Sequence, residues 1–169
     1  RADREAAENM TQAAHEAGVE RIIYLGGLGD DAPDLSEHLR SRAEVGKIFM
    51  NGPVPATVLR AAVILGSGSA SFEIIRNLVE RLPVMLAPRW VRTRCQPIAI
   101  SNVLGYLVGC LENPATAGQV LDIGGPDVLT YGDLFREYAA AAGVRAPLIL
   151  PAPLLTPTLS AAWVNLITP

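Results

Sequence analysis

The feature that most constrains the fold is an alternation of short apolar runs with segments of helical periodicity. The run Arg21–Leu25 is β-branched and is followed by a glycine, and the run 56–65 is longer and almost wholly apolar. Around these runs, apolar residues recur every three or four positions, which is the period of a helix with one buried face. Strands that alternate with helices form βαβ units and favour a largely parallel sheet with helices on its faces. The sequence therefore predicts an α/β fold.

The periodicity also predicts where the individual elements lie. Helices are expected at about 6–17, 36–50, 72–82, 101–111 and 130–143, and strands at 21–25, 56–65, 119–123 and 148–150. In the first helix, the residues expected on the buried face are Ala6, Met10, Ala13, Ala14 and Ala17. The segment 83–100 is predicted to be irregular. Thr130 and Asp133 form a predicted capping pair at the start of the last helix.

Composition excludes several classes of function. The chain has 169 residues, of which 50% are hydrophobic and 18% are charged, which is typical of one globular domain. A net charge of −3 argues against generic nucleic-acid binding, which needs a dense basic surface.

The two cysteines, Cys95 and Cys110, are predicted to be free thiols in a reducing cytoplasm. They have no partner at metal-ligand spacing, so no metal is expected.

The last segment, 146–169, contains no charged residue. Its prolines recur too often for a membrane-spanning helix, so a membrane partner is not expected. We expect instead that a further domain or chain packs on this end.

Two segments approach the glycine pattern of a dinucleotide-binding loop. Gly27-x-Gly29-x-x-Ala32 follows a strand, but Asp30 and Asp31 would repel a phosphate there. Gly66-x-Gly68-x-x-Ser71 is better placed, because it lies between a strand and a helix. We prefer the interpretation that Ser69 or Ser71 caps the helix, and a phosphate site remains the alternative.

An ordered set of short motifs carries a family resemblance. It comprises Asn9, the run 17–25, His38-Leu-Arg-Ser-Arg42, the run 58–66 and Asp122-Ile-Gly-Gly-Pro126. Together these resemble the extended and atypical short-chain dehydrogenase/reductases. The nearest branch is the NAD(P)H-binding, NmrA-like proteins, which are related to the NAD(P)-binding accessory subunit of respiratory complex I. The resemblance covers nearly the whole chain and rests on the order of the motifs rather than on any one of them.

The resemblance implies a Rossmann-like, doubly wound and mostly parallel sheet that is incomplete in this chain. Residues 1–169 would be the C-terminal portion of an NAD(P)-binding domain, with substrate-side segments from about residue 83 onward. The glycine-rich phosphate loop of the family would lie in βα units that precede residue 1. The implied cofactor is NAD or NADP, with NADP slightly favoured.

The resemblance also assigns candidate catalytic residues. His38 stands where active members have a tyrosine, and Arg42 stands where they have a lysine four residues later. Gly26 or Gly27 occupies the position of the supporting serine. Histidine can exchange a proton near neutral pH, whereas arginine can only hydrogen-bond a ribose or a phosphate. The alternative is that His38 and Arg42 are an exposed pair on one side of a helix.

Two functions are compatible with this altered set of residues. The first is an oxidoreductase that transfers hydride between NAD(P)(H) and a small carbonyl or hydroxyl compound. The second is a non-catalytic NAD(P)H-binding sensor or assembly factor. In either case, the residues implied to bind the cofactor are Leu25, Gly26, Gly27, Arg42, Ala61, Ala62 and Val63.

Overall fold

The strand–helix alternation predicted from the sequence is present in the computed structural model, which describes residues 2–29, 36–87 and 89–151. The helices are α1 (Ala2–Glu16), α2 (Glu37–Met50), α3 (Ala70–Arg81), α4 (Ile100–Glu112) and α5 (Tyr131–Ala142). The strands are β1 (Ile22–Gly27), β2 (Ala56–Ala61), β3 (Val63–Leu65), β4 (Val84–Ala87), β5 (Arg94–Cys95), β6 (Pro97–Ala99), β7 (Val120–Ile123), β8 (Leu129–Thr130) and β9 (Leu148–Pro151). Short 3-10 helices cover Arg89–Arg92 and Pro114–Thr116.

The chain forms two compact units. Unit 1 comprises residues 1–62 and 100–124, and unit 2 comprises residues 63–99 and 125–169. The predicted Asp30–Asp31 part of the first glycine loop, and the tail from residue 152 onward, lie outside the described residues.

A parallel sheet with the strand order β1-β2-β7 is the centre of unit 1. In the register of β1 and β2, Ile22 pairs with Ala56 and Gly27 pairs with Ala61. Val58 and Ala61 of β2 pair with Val120 and Ile123 of β7. All three strands therefore end at the same edge of the sheet, which confirms the predicted parallel arrangement.

Helices α1 and α2 form an apolar cluster with β1 and β2. The cluster consists of the buried residues Ala7, Ala14, Ile22, Val45, Phe49, Val54 and Ala56. Helix α2 begins where predicted, because the Ser36 side chain accepts a hydrogen bond from the Leu39 amide. The predicted buried face of α1 is wrong except at Ala14. The buried residues are Ala7, Thr11 and Ala14, whereas Met10 is 57% exposed.

Helix α4 buries less of its apolar surface than its sequence predicts. Val103 and Cys110 are buried, but Leu104, Val108 and Leu111 are exposed. The C-terminal end of α4 is attached to the sheet through Arg21, which precedes β1. The Arg21 guanidinium donates hydrogen bonds to the carbonyl oxygens of Cys110 (2.5 Å), Asn113 (3.0 Å) and Pro114 (3.3 Å). A polar contact therefore holds α4 where apolar packing is sparse.

Unit 2 is built around α3 and α5. Its buried cluster consists of Val63, Ile75, Leu78, Val79, Met85, Val91, Cys95, Leu134, Phe135 and Ala139. The predicted capping box is confirmed, because the Thr130 side chain accepts from the Asp133 amide and the Asp133 side chain accepts from the Thr130 amide. Gly143 ends α5 in the left-handed conformation, with φ of 68°. Caps and packing thus define both ends of α5.

The strands of unit 2 are short and pair two by two. β3 pairs with β6 and β4 with β9 in parallel, whereas β5 pairs with β8 in an antiparallel arrangement. The prediction of one long strand over 56–65 is wrong, since the chain breaks at Ala62 and β3 joins a different sheet from β2. The segment 83–100 is also more regular than predicted.

A close backbone approach fixes the segment that follows β7. The Gly125 amide donates to the Pro97 carbonyl oxygen at 3.0 Å, and the Gln96 side-chain amide donates to the Gly125 carbonyl oxygen at 2.6 Å. A Cβ atom on residue 125 would lie 2.3 Å from the Pro97 oxygen. Only glycine fits at this position.

Both cysteines are buried free thiols, as predicted. Among the helices that the structure describes, none is both long enough and apolar enough to cross a membrane.

Candidate functional site

The carboxyl ends of β1 and β2 bring several of the predicted cofactor-binding residues together. Leu25, Gly26 and Gly27 are the last residues of β1, and Ala61 is the last residue of β2. Gly27 and Ala61 pair in the register, and the Leu28 amide donates to the Ala61 carbonyl oxygen at 3.0 Å. Ligands of open parallel sheets bind outside this edge, so the structure places these four residues where a ligand would be expected.

The N-terminal turn of α2 lies beside the end of β1. A Cβ atom on residue 27 would lie 2.8 Å from Leu39 Cδ2, and one on residue 26 would lie 3.2 Å from the Tyr24 ring. A serine at either position would therefore require a neighbouring side chain to move. His38 and Arg42 are both exposed on this part of α2, one helical turn apart. Their predicted position on one side of a helix is present in the structure, and their catalytic roles stay predictions.

The remaining two predicted residues do not share this arrangement. Ala62 is exposed at the break after β2, and Val63 is the buried first residue of β3 in unit 2. The sequence run 61–63 is thus divided by the structure, because β2 and β3 are strands of different sheets.

An open groove of about 400 Å³ in unit 1 runs beside α2. Gly26, Gly27 and Arg42 are among its lining residues, whereas His38, Leu25 and Ala61 are not. The lining residues that sequence reasoning did not propose for the site are Tyr24, Ala43, Gly46, Lys47, Met50, Asn51, Val58, Arg60 and Val120. The Tyr24 hydroxyl donates to the Arg42 carbonyl oxygen at 3.4 Å.

An ion pair connects two strands next to this groove. The Arg60 Nε atom lies 2.6 Å from Asp122 Oδ1, and these side chains are 22% and 54% exposed. The residues are also paired in the register of β2 and β7. Sequence reasoning missed the pair, although a signal was present. A charged residue inside an apolar strand generally has a partner, and each of these two strands contains one.

The second glycine loop has a structural role at Ser69. Its hydroxyl accepts from the Phe72 amide at 3.2 Å and donates to the Ile64 carbonyl oxygen at 2.9 Å. The preferred interpretation, a helix cap, is confirmed for Ser69. Within residues 2–29, 36–87 and 89–151, no three His, Cys, Asp or Glu side chains are grouped as a metal site.

Curated relatives are found among complex I subunits. No family model matches the chain. The mitochondrial NADH dehydrogenase (ubiquinone) 1 alpha subcomplex subunit 9 of Arabidopsis thaliana is 26% identical over 130 residues, which cover 76% of this chain and 32% of that protein. The subunit of the same name in Mus musculus is 29% identical over 119 residues, which cover 70% of this chain and 31% of that protein. The chain thus spans about a third of the length of these relatives.

Solved structures share the fold at low sequence identity. The Bordetella bronchiseptica enzyme WbmG in complex with NAD matches with a TM-score of 0.68 and 16% identity, over 94% of this chain and 57% of that chain. UDP-glucuronic acid 4-epimerase from Bacillus cereus in complex with NAD matches with a TM-score of 0.70 and 14% identity, over 96% of this chain and 67% of that chain. These likenesses establish the Rossmann-like fold.

The narrower assignments stay predictions. They are the NmrA-like branch, the cytoplasmic location, the preference for NADP and the inclusion of residues 1–169 in one domain. The broader resemblance predicted from the sequence is confirmed: the chain is similar to the complex I subunits named above, and it has part of a Rossmann-like fold.

Proposed function

We propose that this chain forms one wall of an NAD(P)-binding site, at the carboxyl ends of β1 and β2. The observation that carries the proposal is the pairing of Gly27 with Ala61 beside the first turn of α2. The two glycines at the end of β1 present backbone without side chains, which allows a ligand to approach closely. The WbmG and epimerase structures that share the fold contain NAD, which supports a dinucleotide as the ligand.

The residues present fit the nicotinamide and ribose part of a dinucleotide better than its pyrophosphate. Arg42 lines the groove beside Gly26 and Gly27, where its guanidinium can donate to ribose hydroxyls. Gly66–Ser71, the other glycine loop, has its Ser69 hydroxyl engaged within the protein.

The reaction proposed first is hydride transfer between the nicotinamide and a small carbonyl or hydroxyl compound. The cofactor supplies the hydride chemistry when it is bound, and the protein orients the reactants. His38, at the tyrosine position of the family, is the candidate proton donor, and its exposed place on the first turn of α2 leaves it accessible to a substrate. Arg42 positions the cofactor and does not exchange a proton.

A second candidate function is non-catalytic binding of the dinucleotide. It is favoured by the simultaneous replacement of the tyrosine, lysine and serine of the family by His38, Arg42 and glycine. A serine at residue 27 or 26 would require the Leu39 or Tyr24 side chain to shift. The complex I relatives support a role inside a larger assembly.

Titration calorimetry with NADH and NADPH tests the binding proposal. The chain, and any longer natural form of it, should bind at least one of them. Arg42→Gln should weaken binding about tenfold through the loss of charge-assisted hydrogen bonds. Arg40→Gln, an exposed arginine on the same helix that does not line the groove, is the matched control and should bind normally.

Two further results decide between the candidate functions. Absence of binding in every form of the protein contradicts both. Turnover with a panel of carbonyl compounds that is lost in His38→Ala supports the oxidoreductase, whereas binding without turnover supports the second function.

A further inference from the structure

Most of the groove beside α2 lies away from the edge where a dinucleotide is expected. One end is formed by Gly26 and Gly27 at the carboxyl end of β1, and the other by Asn51 just beyond the end of α2. The helix rises about 14 Å between Arg42 and Asn51. On β7 the groove reaches Val120, which is the first residue of that strand. The groove therefore crosses the face of the sheet instead of following its carboxyl edge.

The floor of the groove is an apolar surface. Val58 is buried, whereas its register partner Val120 is 45% exposed. Gly46 faces this floor from α2, and a Cβ atom there would be only 3.6 Å from Val58 Cγ1. Helix and sheet thus approach closely at Gly46, and Met50 lines the groove one turn further along α2.

The walls of the groove are positively charged. Arg42 and Lys47 extend from α2 with exposed side chains, and Arg60 extends from β2. Arg60 pairs with Asp122 at 2.6 Å, so one of these three cations is already matched by an acid. Asn51 adds an amide that can donate or accept hydrogen bonds. Arg42 is assigned to the proposed cofactor site, so the charge of Lys47 is the one considered for a separate anion.

We propose that this groove binds a small amphiphilic anion. Its apolar part would lie on Val58 and Val120, and its carboxylate or phosphate head would be held by Lys47 with help from the Asn51 amide. The volume of about 400 Å³ is within the range of roughly 300–1,000 Å³ that small-molecule sites occupy. An apolar floor with a few convergent charged groups is the usual composition of such sites. The proposal does not rest on dinucleotide binding, because Lys47 and Val120 are not residues of the proposed cofactor edge.

Calorimetric titrations of the chain with four probes test this proposal. Octanoate and octyl phosphate carry both an anionic head and an apolar chain, whereas inorganic phosphate lacks the chain and octanol lacks the charge. We expect the two amphiphiles to bind at least tenfold more tightly than either inorganic phosphate or octanol. Comparison of octanoate with octyl phosphate then identifies the preferred head group. Equal affinity for inorganic phosphate or for octanol would overturn the proposal.

Substitutions at the far end of the groove locate the site. Lys47→Gln should weaken amphiphile binding about tenfold, because one charged partner of the head group is lost. Val120→Asp should weaken it further by placing a carboxylate on the apolar floor. The matched controls are Arg40→Gln, on the same helix, and Val128→Asp, an exposed valine in unit 2. Unchanged binding in Lys47→Gln and Val120→Asp contradicts the assignment.

Competition separates this site from the proposed function. Lys47→Gln should leave NADH and NADPH titrations unchanged, and neither dinucleotide should displace octyl phosphate. Competitive displacement would show that the groove belongs to the dinucleotide site and would overturn the separate assignment. Failure of the chain to bind either dinucleotide would leave the amphiphile titrations unaffected.

Discussion

The two units of the molecule achieve order in different ways. Unit 1 has one parallel sheet with strands of four to six residues and a core rich in alanine and valine, and it keeps a charged groove and an apolar helix face open to solvent. Unit 2 has strands of only two to four residues, and its buried cluster is centred on large side chains such as Phe135, Leu78 and Met85. Unit 1 thus has the longer paired strands, and unit 2 has the buried cluster with the larger side chains. The unit with the open surface is the one that carries the candidate sites.

The largest expected effect is in the aromatic core of unit 2. Phe135 is 1% exposed, and its ring lies 6.4 Å from the Trp90 ring, which in turn lies 5.6 Å from the Tyr131 ring. Phe135→Ala should lower the free energy of unfolding by about 3–5 kcal/mol, since the loss of a buried phenyl group leaves a cavity. Urea titration followed by Trp90 fluorescence, in a Trp163→Phe background, measures this effect.

A matched change in unit 1 sharpens the comparison. Phe49 is 4% exposed and packs against Tyr24 with ring centroids 5.3 Å apart. If unit 2 is ordered mainly by its own packing, Phe135→Ala should shift the Trp90 transition more than Phe49→Ala does. Equal shifts would show that the two units unfold as one.

An intermediate effect is expected at the polar attachment of α4 in unit 1. Arg21→Met removes the guanidinium that donates to the carbonyl oxygens of Cys110, Asn113 and Pro114. The loss should be about 2 kcal/mol, because hydrogen bonds from a charged donor are the stronger class. Amide hydrogen exchange in the last turn of α4 should accelerate. Arg21→Lys keeps the charge without the forked geometry of the guanidinium, so it should recover part of the stability. If Arg21→Met lowers the free energy of unfolding by less than about 0.5 kcal/mol, this attachment is dispensable.

The smallest effect is a pH dependence in unit 2. The hydrogen bond from the Thr130 hydroxyl, followed by those from the Thr130 amide and the Arg136 guanidinium, lowers the pKa of Asp133 from 3.8 to about 2. Because the pKa is lower in the folded state, the stabilisation is complete above about pH 4 and is lost as the pH falls through 2. Urea midpoints measured by Trp90 fluorescence from pH 5 to pH 2 should fall less in Asp133→Asn than in the parent protein. The control is Asp127→Asn, an exposed neighbour outside the capping box, which should show the same fall as the parent protein. If the urea midpoints of Asp133→Asn fall as much as those of the parent protein, the pH dependence does not come from Asp133.

The sequence was sufficient for features that depend on local chemistry. Ser69 and Thr130 were recognised as cap candidates because their hydroxyls accept from nearby amides, and both cap helices. The parallel sheet of unit 1 followed from the alternation of apolar runs with helical periods. The start of α2, which carries His38 and Arg42, was also located correctly, whereas β1 extends to Gly27, two residues beyond the predicted end at Leu25.

Features that depend on distant parts of the chain could not be predicted in the same way. An unbroken apolar run does not reveal that it divides at Ala62, because β2 and β3 are both apolar strands and only their partners differ. The apolar stripe of α4 looked like a buried face, yet the structure leaves Leu104 and Leu111 exposed. The groove depends on the crossing of α2 over β2 and β7, so Lys47 and Val120 gave no local signal of being neighbours.

The contact between Gly125 and Pro97 has an evolutionary consequence. Any side chain at residue 125 would overlap the Pro97 carbonyl oxygen, which itself accepts the Gly125 amide. A descendant or distant cousin that retains this strand-to-loop contact must therefore keep a glycine there, whatever substitutions accumulate around it. A glycine is therefore expected at the equivalent position of any relative that keeps this contact, even where overall similarity is low. A single glycine of this kind can anchor an alignment that the rest of the chain leaves ambiguous.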